Sequence, residues 1–188
     1  MQLAVFVSGN GSNLQCIIDA IETERLTDTE IKLVVADRDC FAKERALKHK
    51  IPFFQFDRKT NWQQLVIDQL QQHQITHIVL AGFLSILPKQ FCEIWSNKII
   101  NLHPALLPKH GGKGMYGLKV HQAVIDNKEA ESGATVHFVT EGIDEGNILL
   151  QEKCAVEATD TAETLQQKIH HLEHQILIKA IQLFHEKK

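Results

Sequence analysis

Residues 3–24 read LAVFVSGNGSNLQCIIDAIETE. The first six, LAVFVS (3–8), form an apolar run of strand length, rich in the branched and aromatic side chains that suit a buried extended segment. The pattern then changes period. From Ser12 to Glu24, Leu14, Ile17, Ile18 and Ile21 recur at helical spacing. Between the two lies SGNGSN (8–13), a glycine-rich turn. A buried strand, a tight turn and an amphipathic helix make the opening half of a βαβ unit.

The same alternation runs on down the chain. IKLVVAD (31–37) reads as a second strand, followed by a charged helix over 41–50. IPFFQF (51–56) reads as a third, followed by a helix carrying Trp62, Leu65, Val66, Ile67 and Leu70. HIVLAGF (77–83) is a fourth strand with a helix over 88–95, and KIINLH (98–103) is a fifth. Such repetition predicts an α/β fold with a Rossmann-like, mostly parallel sheet flanked by helices. After residue 133 the texture shifts. ATVHFVT (134–140) and ILLQEKCAV (148–156) read as two strands joined by a short glycine-containing turn, an antiparallel C-terminal extension of the sheet. The last segment, 161–184, sets Leu165, Ile169, Leu172, Ile176, Ala180 and Leu183 on one helical stripe, with Thr159 or Asp160 as its cap. No repeat or linker interrupts the pattern, so a single domain over residues 1–188 is expected.

Composition narrows the function classes. A chain of 188 residues, 44% hydrophobic and 23% charged, suits a globular domain with a full core. The net charge of −3 advertises neither nucleic acid nor an anionic membrane. Cys16, Cys40, Cys92 and Cys154 are widely spread without C-x-x-C spacing, so they read as small packing residues rather than a metal or disulfide framework. No signal peptide or membrane span is legible, and a cytoplasmic location is expected.

In open parallel sheets ligands bind outside the carboxyl ends of the strands. SGNGSN (8–13), NLHP (101–104) and EGIDEG (141–146) should fall there. The amides of Gly11, Ser12 and Asn13 open a helix N-terminus, which favours a phosphate group. A dinucleotide fingerprint is the rival, but it would need glycine where Leu14 stands; Asp37 lies near the distance for its acidic residue. Strand alternation puts Asn101 and His103 on one face, and Pro104 ends the strand there. An amide and an imidazole side by side suit oxyanion binding and proton transfer at a carbonyl. Asp144, in the Gly-flanked turn, is a candidate to orient the imidazole, with Glu141 and Glu145 as its neighbours.

Taken together, FVSGNGSNLQ, VLAGFLSIL, INLHPALLPK, GATVHFVTEGIDEGNILLQ and LEH (172–174) resemble the phosphoribosylglycinamide formyltransferase family, in the same order from residue 2 to about 180. The resemblance implies formyl transfer from the cosubstrate 10-formyltetrahydrofolate to the glycine amine of 5-phosphoribosylglycinamide, in purine synthesis, with no metal. It carries the catalytic trio onto Asn101, His103 and Asp144, and protonated His103 is expected to help stabilise the oxyanion. It carries the acceptor contacts onto Gly11, Ser12, Asn13 and Glu173. It carries the folate contacts onto Lys59, Leu84, Ser85, Ile86, Leu87 and Asn101, and onto Thr140, Glu141, Gly142, Ile143 and Asp144. The partners implied are small molecules, with the protein a monomer or weak homodimer. Ser85 stands where the family commonly has arginine, and the proline that usually follows Glu173-His174 is absent. The stretch KHGGKGMYGLKVH (109–121) is longer and richer in glycine than usual; it reads as a flexible flap near the substrates, with Lys113 or His121 able to touch them.

Three other readings compete. HHLEH (170–174) fits an H-x-x-E-H zinc pattern, though no third ligand follows clearly. Within formyl transfer, a folate hydrolase or an enzyme for another amino-sugar acceptor would share the donor side. A folate- or nucleotide-binding relic would bind without turnover.

Overall fold

The structure is a computed structural model and describes residues 1–186. Its elements run β1 (Gln2–Val7), α1 (Ser12–Glu22), β2 (Glu30–Ala36), α2 (Ala42–Lys48), β3 (Phe53–Gln55), α3 (Trp62–Gln72), β4 (His77–Leu80), α4 (Lys89–Ile94), β5 (Ile99–His103), α5 (Leu118–Asp126), β6 (Glu131–Phe138), β7 (Ile148–Ala155) and α6 (Ala162–Glu186). Hydrogen bonding orders the strands β3-β2-β1-β4-β5-β6-β7. The expected mostly parallel sheet with an antiparallel end is what forms. The chain divides into two compact units, Met1–Ile100 and Asn101–Lys188, with the cut inside β5.

The first unit carries β1 at the centre, parallel to β2 on one side and β4 on the other, with β3 parallel to β2. Leu3 to Val7 are all fully buried, as a strand covered on both faces requires. An aromatic cluster backs it. Phe6 meets Phe83 edge-on at 5.3 Å, and Phe56 stacks on Trp62 at 4.5 Å. β4 stops at Leu80 rather than reaching residue 83, because Gly82 turns the chain with φ +70°. β3 shrinks to Phe53–Gln55 because Pro52, just before it, has no N–H to give a ladder.

In the second unit β6 and β7 pair antiparallel, from Glu131 opposite Ala155 to His137 opposite Ile148. α6 packs on β6, β7 and α5. Its buried stripe is Leu165, Ile169, Ile176, Leu177, Ala180, Ile181 and Phe184, whereas Leu183 is exposed. The cap is neither Thr159 nor Asp160. Thr161 and Thr164 exchange backbone-to-hydroxyl bonds at 2.9 and 3.3 Å, a reciprocal capping arrangement, while Asp160 takes Lys168 at 2.6 Å. α5 is the one helix the periodicity did not announce. It buries Val120, His121 and Val124, and it begins just after the last glycine of the loop.

Candidate active site

The catalytic candidates all belong to the second unit, and one carboxylate gathers them. Asp144 sits in the turn after β6 with φ +59°, a left-handed conformation that aspartate tolerates better than most residues. Its Oδ1 lies 3.4 Å from the Asn101 Nδ2, and its Oδ2 lies 3.5 Å from the His103 Nδ1. β5 therefore offers Asn101 and His103 to the same carboxylate, as alternation along a strand requires.

His103 is 4% exposed, and its Nε2 donates to the His110 carbonyl at 2.9 Å. Both ring nitrogens thus face an acceptor. Burial nevertheless dominates and holds the ring below the ordinary histidine pKa, against the opposing charge of Asp144, the His110 carbonyl and the charge of Glu173. The resting ring at neutral pH is accordingly neutral, with its proton on Nε2. Asp144 responds in the opposite sense: burial would raise its pKa, but His137, His103 and the Gly112 amide together hold it below the ordinary carboxylate value.

Sequence reasoning missed His137. It is 2% exposed on β6; its Nδ1 donates to the Phe138 carbonyl at 2.9 Å, and its Nε2 lies 3.0 Å from the Asn101 Nδ2. With Nδ1 carrying the proton, Nε2 is the acceptor, so Asn101 directs one N–H to His137 and the other to Asp144. The signal available was a histidine two residues from Thr135 on a buried face. That pattern is common to satisfied core histidines.

His121, expected on a flap, is instead buried in α5, with Nδ1 lacking a partner. Burial, and then the neighbouring His103 charge, push its pKa down to about 4. Its unfolded value is about 6.5, so the unfolded chain binds the extra proton first. Its contribution to stability is complete above about pH 6.5 and is lost as pH falls towards 4. Thermal midpoints of the parent and His121→Gln across that window should diverge, the variant having the flatter acid slope. Parallel slopes would exclude the assignment. Lys113 is exposed on the loop. Glu173 bonds His170 at 3.2 Å from α6, and its charge reaches His103. Among the described residues no group of three or more His, Cys, Asp or Glu converges as a metal site, and the HHLEH histidine His170 is occupied by Glu173.

In the first unit the glycine-rich turn forms as expected. Gly11 caps α1 at φ +76°, and no side chain caps the helix opening. A Cβ on Gly11 would lie 2.7 Å from the Ala42 Cβ, so only glycine lets the turn press on α2. Arg45 of α2 clamps the turn through the Asn10 carbonyl at 2.8 Å and the Asn10 Oδ1 at 2.7 Å. Asn13 is buried with its Oδ1 unpartnered. Ser85 Oγ donates to Asp37 at 2.5 Å, and Arg38 grips the same carboxylate with two bonds of 2.9 Å. Burial alone would raise the Asp37 pKa, but these bonds outweigh it and lower it. A carboxylate so occupied is not open to a ribose, which removes the dinucleotide reading. Ser8 Oγ accepts the Leu84 N–H at 2.8 Å, leaving Leu84 and Ile86 exposed and Leu87 buried. Lys59 is exposed on the 57–60 turn.

An amide, an imidazole and a carboxylate brought to one point of an α/β sheet suit carbonyl chemistry. The chain belongs to the formyl transferase family, whose model matches residues 1–181. Within that family it is similar to phosphoribosylglycinamide formyltransferases. It is 34% identical over 189 residues to that of Escherichia coli, covering 98% of this chain and 87% of the relative. It is 36% identical to the chloroplastic enzyme of Arabidopsis thaliana over 96% of this chain, and it spans 64% of that longer relative. The crystal structure of glycinamide ribonucleotide transformylase 1 from Symbiobacterium toebii matches with a TM-score of 0.91 at 32% identity, over 99% of this chain and 88% of that one.

Proposed function

We propose that this protein transfers the formyl group of 10-formyltetrahydrofolate to the glycine amine of 5-phosphoribosylglycinamide, a step in purine synthesis. The observation that carries the proposal is the convergence of Asn101 and His103 on Asp144, at 3.4 and 3.5 Å, in a chain whose relatives carry that activity in their names.

In this reading the substrate's amine is the nucleophile. It bonds to the formyl carbon, and the formyl oxygen takes up negative charge. Collapse breaks the bond from that carbon to the folate nitrogen, which leaves with a proton that began on the amine. His103, neutral at rest, accepts the amine proton. The imidazolium so formed has Asp144 on Nδ1 and the His110 carbonyl on Nε2. Asn101 keeps one N–H on His137 and turns to the oxyanion the other, which rests on Asp144 at the longer distance of 3.4 Å.

Gly11, Ser12 and Asn13 take the acceptor's phosphate, supported by the uncapped start of α1. Glu173 faces the glycinamide end. The folate contacts are Lys59 and Leu84 to Leu87 in the first unit, and Asn101 and Thr140 to Asp144 in the second. The exposed Leu84 and Ile86 suit a flat heterocycle. Ser85 contributes by holding this loop to Asp37 rather than by a charged contact. The proposal takes residues 1–188 as one formyltransferase domain, cytoplasmic, a monomer or weak homodimer, using no metal.

Mixing the purified protein with a 10-formyl folate and 5-phosphoribosylglycinamide, and following the deformylated folate by absorbance, tests it. Release that requires the acceptor is expected. Release without acceptor would make the protein a hydrolase, and release only with other amino sugars would move the acceptor assignment. Binding without release would leave an inactive relic.

A further inference from the structure

We propose that Glu129 is a positioning residue for this reaction: by holding Lys109 and His110 it fixes the stretch of backbone that grips both His103 and Asp144. The inference rests on the formyl-transfer reading above. Glu129 follows α5, outside the catalytic trio. Its Oε2 accepts the Lys109 ammonium at 2.9 Å, and its Oε1 lies 3.3 Å from the His110 Nε2. One carboxylate, 24% exposed, therefore ties down two adjacent residues of the loop.

What that loop does next makes the latch matter. His110 adopts φ +55°, a conformation a non-glycine side chain enters only when its surroundings hold it there. Its carbonyl accepts the His103 Nε2–H at 2.9 Å, which sets the ring's tautomer and turns Nδ1 to Asp144. Two residues on, the Gly112 N–H donates to the Asp144 Oδ2 at 2.9 Å. Between them Gly111 passes so close that a Cβ would stand 2.5 Å from the Leu107 Cδ2 and 3.3 Å from the Asp144 Cβ. Residues 110–112 are thus threaded against the reacting pair, and this start of the glycine-rich stretch is a built support. Without Glu129, Lys109 and His110 lose their shared anchor, and the His103 and Asp144 contacts loosen together.

The test compares Glu129→Ala with Glu129→Gln, whose amide oxygen still accepts a hydrogen bond. His103 is followed directly by NMR titration of its ring nitrogens. The ring faces Asp144 in the turn, His137 on β6, Glu173 on α6, His121 on α5 and the His110 carbonyl in the loop. Loosening the carbonyl, and the hold of the Gly112 N–H on Asp144 with it, weakens two partners that favour the protonated ring. In Glu129→Ala, His103 should therefore titrate at lower pH than in the parent, and kcat should fall roughly 10- to 100-fold, the scale of a small misplacement of catalytic groups. KM for both substrates should hold, the thermal midpoint should move little because exposed ion pairs contribute little, and Glu129→Gln should recover most of kcat. An unchanged His103 titration in Glu129→Ala would overturn the proposal. So would parallel losses of kcat and thermal stability that Glu129→Gln does not rescue. A parent that transfers no formyl group, but whose His103 titration still moves in Glu129→Ala, would uphold the coupling and overturn the reaction.

Discussion

Replacing His103 with alanine is expected to lower kcat for formyl transfer roughly 100- to 1000-fold, the cost of removing one group that meets charge as it develops. The imidazole is 4% exposed, with Nε2 bonded to the His110 carbonyl and Nδ1 3.5 Å from Asp144, so no solvent molecule reproduces its position. The substitution also strands the His110 carbonyl, and an unpaired buried acceptor costs about 1–3 kcal/mol of stability. His103→Gln separates the two effects, since its amide can still donate to that carbonyl while offering no titrating base. Both variants should lose turnover, and only the alanine variant should lose much thermal stability. Activity within about threefold of the parent in a folded His103→Gln protein would remove the ring from the chemistry, because a proton-transfer residue contributes at least about 100-fold.

The pH dependence follows from the direction of the shift. Burial holds the His103 pKa below the ordinary value, and the proposed reactive form is the neutral ring. The acid limb of kcat should therefore lie below about pH 6.5, where an unperturbed histidine titrates. An acid limb above that value would mean that Asp144 outweighs burial, and a loss of kcat on the alkaline side of the ring's titration instead would mean that the protonated ring does the work.

The parts of this site that were legible from sequence are those where one residue type has few alternatives. Asn101 and His103 stand two apart before Pro104, so alternation and the end of the ladder left only one face for both. The turn at Gly11 was legible for a like reason, since a strand passing into a helix through a tight turn favours a residue free to take positive φ, here +76°. His137, Glu129 and α5 were not. A histidine inside β6 carries no mark that separates a site residue from a satisfied core residue until Asn101 and Asp144 stand beside it. Glu129 sits in the polar stretch DNKEAES (126–132), where any carboxylate reads as solvated. The four glycines of residues 109–121 read as mobility, and they hid both the start of α5 at Leu118 and the backbone contacts of His110 and Gly112. Composition reports how freely a loop moves alone. It does not report what the loop is bonded to.

Asp144→Asn is the second substitution expected to have a large effect, and it tests how the site divides its charge. The asparagine keeps the size of the side chain and keeps an oxygen for the Gly112 N–H, which now lies 2.9 Å from the carboxylate. It removes the negative charge that favours protonation of His103. The imidazolium formed when the ring accepts the amine proton would then stand buried without a counter-charge, and kcat should fall by about 100-fold or more. The His103 titration and the acid limb of kcat should move together to lower pH. Stability gives an independent reading. Asp144 titrates below its ordinary carboxylate value in the folded protein, so its contribution is present above about pH 3.9, the unfolded value, and is lost as pH falls through the folded one. Asp144→Asn should therefore be less stable than the parent at neutral pH, and the gap should close on acidification. If the gap persists below the folded value, the loss comes from altered packing and not from charge. If kcat also stays near the parent value, His103 manages its proton without Asp144, and the carboxylate serves only to hold the loop of residues 110–112 against the turn.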